Sequence, residues 1–161
     1  MSLRAELESF FDGAEGRRVV IVGIGSLIRH DDIVGLKVVE LLEGKLPENV
    51  LLLSAETVPE SYTGAIRDFK PTHVLLIDAA NFNGEPGEGR IISPKMIVNV
   101  SVSTHSLPLH VLIDYLKKSI CENVVLIGIR GVNIDLGGGM SPGVEEGATR
   151  IADLLLDLLL Q

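Results

Sequence analysis

Apolar and polar positions along the chain fall into two alternating kinds of run. Four runs are short, continuous and rich in β-branched or leucine side chains: 18–24 (RVVIVGI), 49–53 (NVLLL), 73–77 (HVLLI) and 123–129 (NVVLIGI). Unbroken apolar runs of this length suit strands buried on both faces. Between them lie segments whose apolar residues recur at helical spacing. Residues 4–13 place Leu7, Phe10 and Phe11 on one side, and residues 32–44 do the same with Val34, Val38, Val39, Leu41 and Leu42 before Gly44. Shorter helices are expected at 60–69, closed by Lys70-Pro71, and at 108–118, with Ser106 as N-cap. A last helix is expected from the Ser141-Pro142 pair almost to Gln161, the serine capping and the proline in the first turn. Residues 90–92 read as a brief edge strand after a turn-rich 84–89. Alternating strands and helices predict a three-layer α/β/α fold with a five-stranded, mainly parallel twisted sheet. The chain is expected to form one domain over 1–161, residues 1–16 being an additional N-terminal helical segment.

Composition narrows the function classes. The net charge is −8, which disfavours phosphate backbones and anionic membrane surfaces. No segment reads as a secretory leader or membrane anchor, since the most apolar stretch, 151–160, is short and broken by Asp153 and Asp157. Cys121 is the only cysteine, so no intrachain disulfide or cysteine-rich metal site can form. A cytoplasmic location is expected.

In open α/β sheets ligands bind beyond the carboxyl ends of the strands, so the residues there are the candidates for chemistry. The first strand is followed by Gly23-Ile24-Gly25 and then Asp31-Asp32, the third ends in Asp78, and a Ser-Thr-His-Ser tract with His105 precedes the helix at 108. Acids at the start of a helix also cap free N–H groups, so one of Asp31 and Asp32 can cap while the other enters the cleft. Asp78 ends an apolar strand, where a carboxylate is costly to bury unless paired or metal-bound. Asp32, Asp78 and His105 offer two oxygen ligands and one nitrogen ligand, a set suited to Ni²⁺, Zn²⁺ or Cd²⁺ with coordination positions left open. Competing chemistries lack their residues. Cys121 precedes a strand and so lies at the wrong edge for a Cys-His nucleophile, and no Gly-x-Ser-x-Gly, Walker or His-Glu-x-x-His motif occurs. A Gly23-x-Gly25 turn without the third glycine leaves a flavodoxin-like nucleotide- or phosphate-binding module as the alternative.

Several stretches in order resemble the [NiFe]-hydrogenase maturation endopeptidases, in particular the hydrogenase 3 branch. They are 20–25 (VIVGIG), 31–35 (DDIVG), 56–60 (ETVPE), 71–79 (PTHVLLIDA), 86–88 (PGE), 104–109 (THSLPL) and 140–142 (MSP). The resemblance implies an endopeptidase that removes the C-terminal extension of a hydrogenase large-subunit precursor already carrying nickel. It implies metal-binding and catalytic positions at Asp32, Asp78 and His105, with nickel arriving on the precursor and Cd²⁺ or Zn²⁺ as substitutes. The sequence departs from the family pattern in Ser26, where Asn is usual, and in 54–56 (SAE), where an Asp followed by glycines is usual. A spore-type protease of similar fold is a further relative to which the site logic could belong.

Overall fold

The computed structural model describes residues 1–13, 15–97 and 107–161. In chain order the elements are α1 (Leu3–Phe11), β1 (Val19–Ile24), a 3-10 turn (His30–Ile33), α2 (Val34–Leu42), β2 (Val50–Glu56), a second 3-10 turn (Pro59–Tyr62), α3 (Thr63–Phe69), β3 (His73–Ala80), β4 (Gly89–Ile92), α4 (Leu109–Ser119), β5 (Asn123–Arg130) and α5 (Pro142–Leu159). The strands form one sheet in the order β2-β1-β3-β5-β4. All pairs are parallel except β4 with β5, which is antiparallel. The expected five-stranded, mainly parallel sheet is therefore present.

Alternation along each strand divides the core in two. Val19 and Ile21, Leu75 and Ile77, and Ile127 and Ile129 face α1, α2 and α5. Val20 and Val22, Val74 and Leu76, and Val124 and Leu126 face α3 and α4. Both faces are covered, which is why β1 and β3 are buried along their whole length and read as unbroken apolar runs. The crowded leucines of α5 also find their places. Leu155, Leu158 and Leu159 are buried, Leu154 and Leu156 pack at the margin, and Leu160 is exposed. Leu7 and Phe11 of α1 join that cluster, and Arg4 pairs with Asp157 of α5 at 2.7 Å. No helix among the described residues is long and apolar enough to cross a membrane.

The N-cap position of α4 is Pro108; Ser106, expected to cap this helix, lies outside the described residues. Ser141 does occupy the N-cap of α5, but its side chain does not cap it; the hydroxyl donates elsewhere, as described below.

Candidate active site

The chain passes from β1 to β2 on one side and to β3 on the other, so the strand order reverses between β1 and β3. A crevice opens at the carboxyl ends of strands flanking such a reversal. Asp32 follows β1 and Asp78 lies near the end of β3, one residue beyond the Gly23–Ile77 pair of the two strands. The 3-10 turn carrying Asp32 packs against β3. Both carboxylates are buried, Asp32 at 3% exposure and Asp78 at 1%.

Close backbone packing holds this arrangement. A Cβ on Gly35 would come within 2.3 Å of the Ile77 carbonyl oxygen and 2.4 Å of that of Ile24, so only glycine lets α2 rest on the ends of β1 and β3. A Cβ on Gly25 would meet the Asp32 carbonyl oxygen at 2.1 Å. The Gly25 N–H donates to Glu56 O at 2.9 Å and the Ser26 N–H to Asp32 O at 3.2 Å. Those are the donors a phosphate would need, and they are already committed. The glycine turn thus serves internal packing, which removes the basis for the nucleotide-binding alternative.

The two adjacent acids divide their labour, though not by capping. Neither the 3-10 turn nor α2 has a side-chain cap. Asp31 is fully buried. Its Oδ2 accepts from the N–H groups of Val132 (2.8 Å) and Asn133 (2.9 Å) and from the Ser141 hydroxyl (2.8 Å), and its Oδ1 accepts from the Ser141 N–H at 2.7 Å. Burial alone would raise its pKa. The backbone donors and the Ser141 hydroxyl outweigh that and hold the carboxyl below its ordinary value. His30 adds to the clasp: its N–H donates to Gly137 O at 2.9 Å, and its Nδ1 lies 3.1 Å from Gly139 O. Asp31 thereby ties the glycine-rich segment after β5 to the turn that presents Asp32.

Asp78 is held from its own strand end, its Oδ1 accepting the Ala79 N–H at 2.8 Å. By strand alternation it shares a sheet face with Val74, Leu76 and Ala80, the face that α4 covers. His105 lies outside the described residues, four positions before α4 begins. The sequence-derived trio is therefore placed for Asp32 and Asp78. Among the described residues no group of three or more His, Cys, Asp or Glu side chains could hold a metal. Cys121 lies at the opposite edge, before β5. Burial pushes its thiol pKa up, with Glu122 adding to the effect against a backbone hydrogen bond with Asn123, which is the opposite of thiolate activation.

Sequence reasoning passed over Arg130 and Asn81. Both stand at this edge and line a cleft of about 250 Å³ with Ala80, Gly131, Val132 and Ile134. A cation closing an otherwise apolar strand was the available signal. Glu56, the one acid within the departure at 54–56, is exposed at the end of β2 with φ +52° and lines a separate hollow beside α2 with Lys37 and Glu40.

Comparison with known proteins agrees with this architecture. The family profile described as hydrogenase maturation protease (HycI) matches residues 36–158. The hydrogenase 3 maturation protease of Escherichia coli K12 is 35% identical over 112 residues, covering 69% of this chain and 71% of that one. A Methanocaldococcus jannaschii protein named as a candidate hydrogenase maturation protease is 35% identical over 151 residues, 89% of each chain. The crystal structure of the [NiFe] hydrogenase maturation protease HycI from Thermococcus kodakarensis KOD1 superposes with a TM-score of 0.85 at 38% identity, covering 97% of this chain and 99% of that one.

Proposed function

This chain belongs to the hydrogenase maturation protease family and is a hydrolase of peptide bonds; from there we propose that it removes the C-terminal extension of a nickel-loaded [NiFe]-hydrogenase large-subunit precursor, sensing the nickel with Asp32, Asp78 and His105. The observation that carries the proposal is the burial of two carboxylates, Asp32 and Asp78, at neighbouring strand ends beside the strand-order reversal. Buried acids crowded at one edge favour a cation.

The nickel is part of the substrate. Asp32 and Asp78 supply anionic oxygens to it and His105 a neutral nitrogen, a borderline donor set suited to nickel, zinc or cadmium. A precursor without nickel brings no cation to the two carboxylates and so loses the attraction that seats the loaded one. Docking of the ion fixes the scissile bond beside the crevice. The ion, or a carboxylate beside it, then polarises the carbonyl or activates water. Asp31 keeps its charge throughout but takes no part in this, because its lone pairs are spent on Val132, Asn133 and Ser141.

The test is trimming of purified precursor, nickel-loaded and nickel-free, followed by mass spectrometry of the C-terminus. Loaded precursor is trimmed and unloaded precursor is not, and Asp32→Asn, Asp78→Asn and His105→Ala each abolish trimming. Equal trimming of both forms would remove nickel sensing from the account, and unchanged processing by His105→Ala would take that residue out of the site.

A further inference from the structure

Beyond the crevice, the feature that the proposed mechanism leaves unused is Arg130. It is the last residue of β5 and pairs with Ala80 of β3, as Gly128 pairs with Asp78. Paired residues of parallel strands point to the same side, so Arg130 and Asp78 leave the sheet on one face. The Arg130 backbone is pinned on both sides, its N–H donating to Glu88 O at 2.9 Å and its carbonyl accepting from the Gly87 N–H at 2.7 Å. Its Nη1 donates to the Gly131 carbonyl. Its Nε is buried and, among the described residues, has no hydrogen-bond partner, and no carboxylate of those residues forms an ion pair with it.

A partly buried guanidinium without a counter-charge is an uncompensated cost. It is also a cation with donors to spare, fixed on a rigid strand end in a cleft whose other lining residues are Ala80, Asn81, Gly131, Val132 and Ile134, none of them acidic. That cleft adjoins the candidate site. Gly131 in its wall backs onto Asp31, whose Cβ is 3.3 Å from where a Gly131 Cβ would be, and Ala80 stands two residues beyond Asp78. The planar guanidinium matches a carboxylate in fork geometry, and Asn81 adds an amide donor. The anions that an unmodified polypeptide offers are carboxylates.

We propose that Arg130 is a substrate-binding residue that grips a carboxylate of the precursor's C-terminal segment in this cleft, while the nickel is read next to it. The proposal rests on the proposed function for the identity of the substrate. The carboxylate is either an acidic side chain of the extension or the chain's terminal carboxylate. Two-point attachment, ion at the crevice and carboxylate at Arg130, would set the direction and register of the segment between them.

The test is the affinity of full-length protein for nickel-loaded precursor, measured by calorimetry, with trimming followed on the same samples. Arg130→Gln weakens binding and raises KM by roughly ten- to a hundredfold, the range for loss of a charged hydrogen bond, with kcat within about threefold. Arg130→Lys keeps the charge without the fork and falls between. Two altered precursors locate the partner, one with the extension's Asp and Glu changed to Asn and Gln, the other amidated at its terminus. One of them weakens binding to the wild-type protein by the same factor and adds nothing to Arg130→Gln. Unchanged affinity in Arg130→Gln, or silence of both altered precursors with the wild-type protein, overturns the contact. Should Arg130→Gln fail to fold, Arg130→Lys and the altered precursors still decide. Wild-type protein that binds through Arg130 without trimming would count against the proposed function and leave this contact standing.

Discussion

Replacing Asp31 by Asn changes one atom in a side chain that is fully buried and accepts four hydrogen bonds. The amide oxygen does best at the Oδ2 position, where it keeps the Val132, Asn133 and Ser141 hydroxyl donors. The amide nitrogen then faces the Ser141 N–H, which sat 2.7 Å from Oδ1, and two donors meet. One charge-assisted bond is lost at about 2 kcal/mol, and three others fall from charged to neutral strength, each weakening by roughly 0.5–1 kcal/mol. The sum is about 3–5 kcal/mol, a large part of the stability of a domain this size. The wild-type carboxyl is held below its ordinary pKa of 3.8, so the unfolded chain takes up a proton before the folded one does. Stability from Asp31 is therefore fully present above pH 3.8 and is lost as pH falls through the folded value. Urea unfolding of wild type and Asp31→Asn at pH 7 and at a series of acid pH values measures both effects. The expected gap is about 3–5 kcal/mol at pH 7, narrowing on acidification below pH 4. Hydrogen exchange should show the amides of Val132, Asn133 and Ser141 opening first. A gap under about 1 kcal/mol at pH 7, or one that widens in acid, would refute the assignment of Asp31 as the clasp.

Gly35→Ala drives a methyl into two backbone oxygens at 2.3 and 2.4 Å and should cost about 3 kcal/mol or more or abolish soluble expression, whereas Gly64→Ala in α3, with nothing within 4 Å, should be neutral or stabilise by about 0.5–1 kcal/mol in thermal unfolding. His73 is buried at the amino end of β3, its ring edge-on to Phe10 at 5.0 Å. Burial lowers its pKa from 6.5, with Arg17 adding to this against the Phe10 carbonyl, so the unfolded chain protonates first. Its contribution is present above pH 6.5 and falls as pH drops through the folded value, and His73→Phe should flatten the stability profile below pH 6.5. A thermal-shift panel should show stabilisation by Ni²⁺, Zn²⁺ or Cd²⁺ that Asp78→Asn removes, and none by nucleotides.

The fold was legible because both faces of the sheet are covered. The runs at 19–24, 74–77 and 124–129 carry no polar side chain for that reason, and the helical segments between them leave little choice of topology. Strand ends were less legible: β3 continues through Asp78 to Ala80, since neighbour pairing, not apolarity, sets where a ladder stops. The site was legible as far as topology reaches. Strand-end position singles out the Asp31-Asp32 pair and Asp78 as residues at one sheet edge. It does not separate Asp31 from Asp32, because the partners that claim Asp31 lie about a hundred residues on, at Val132, Asn133 and Ser141. The same long-range contact diverted the Ser141 hydroxyl from capping α5. Arg130 went unremarked because a cation at a strand end is unusual only once it is known to form no ion pair among the described residues.

The most direct measurement is a crystal of the protein soaked in Cd²⁺ or Ni²⁺, with anomalous diffraction collected at a wavelength where the ion scatters. One strong peak is expected, bonded by carboxylate oxygens of Asp32 and Asp78 and by a ring nitrogen of His105. No peak there at saturating metal, or a peak held by other side chains with Asp32 and Asp78 unengaged, would contradict the reading of this edge as a metal-sensing centre.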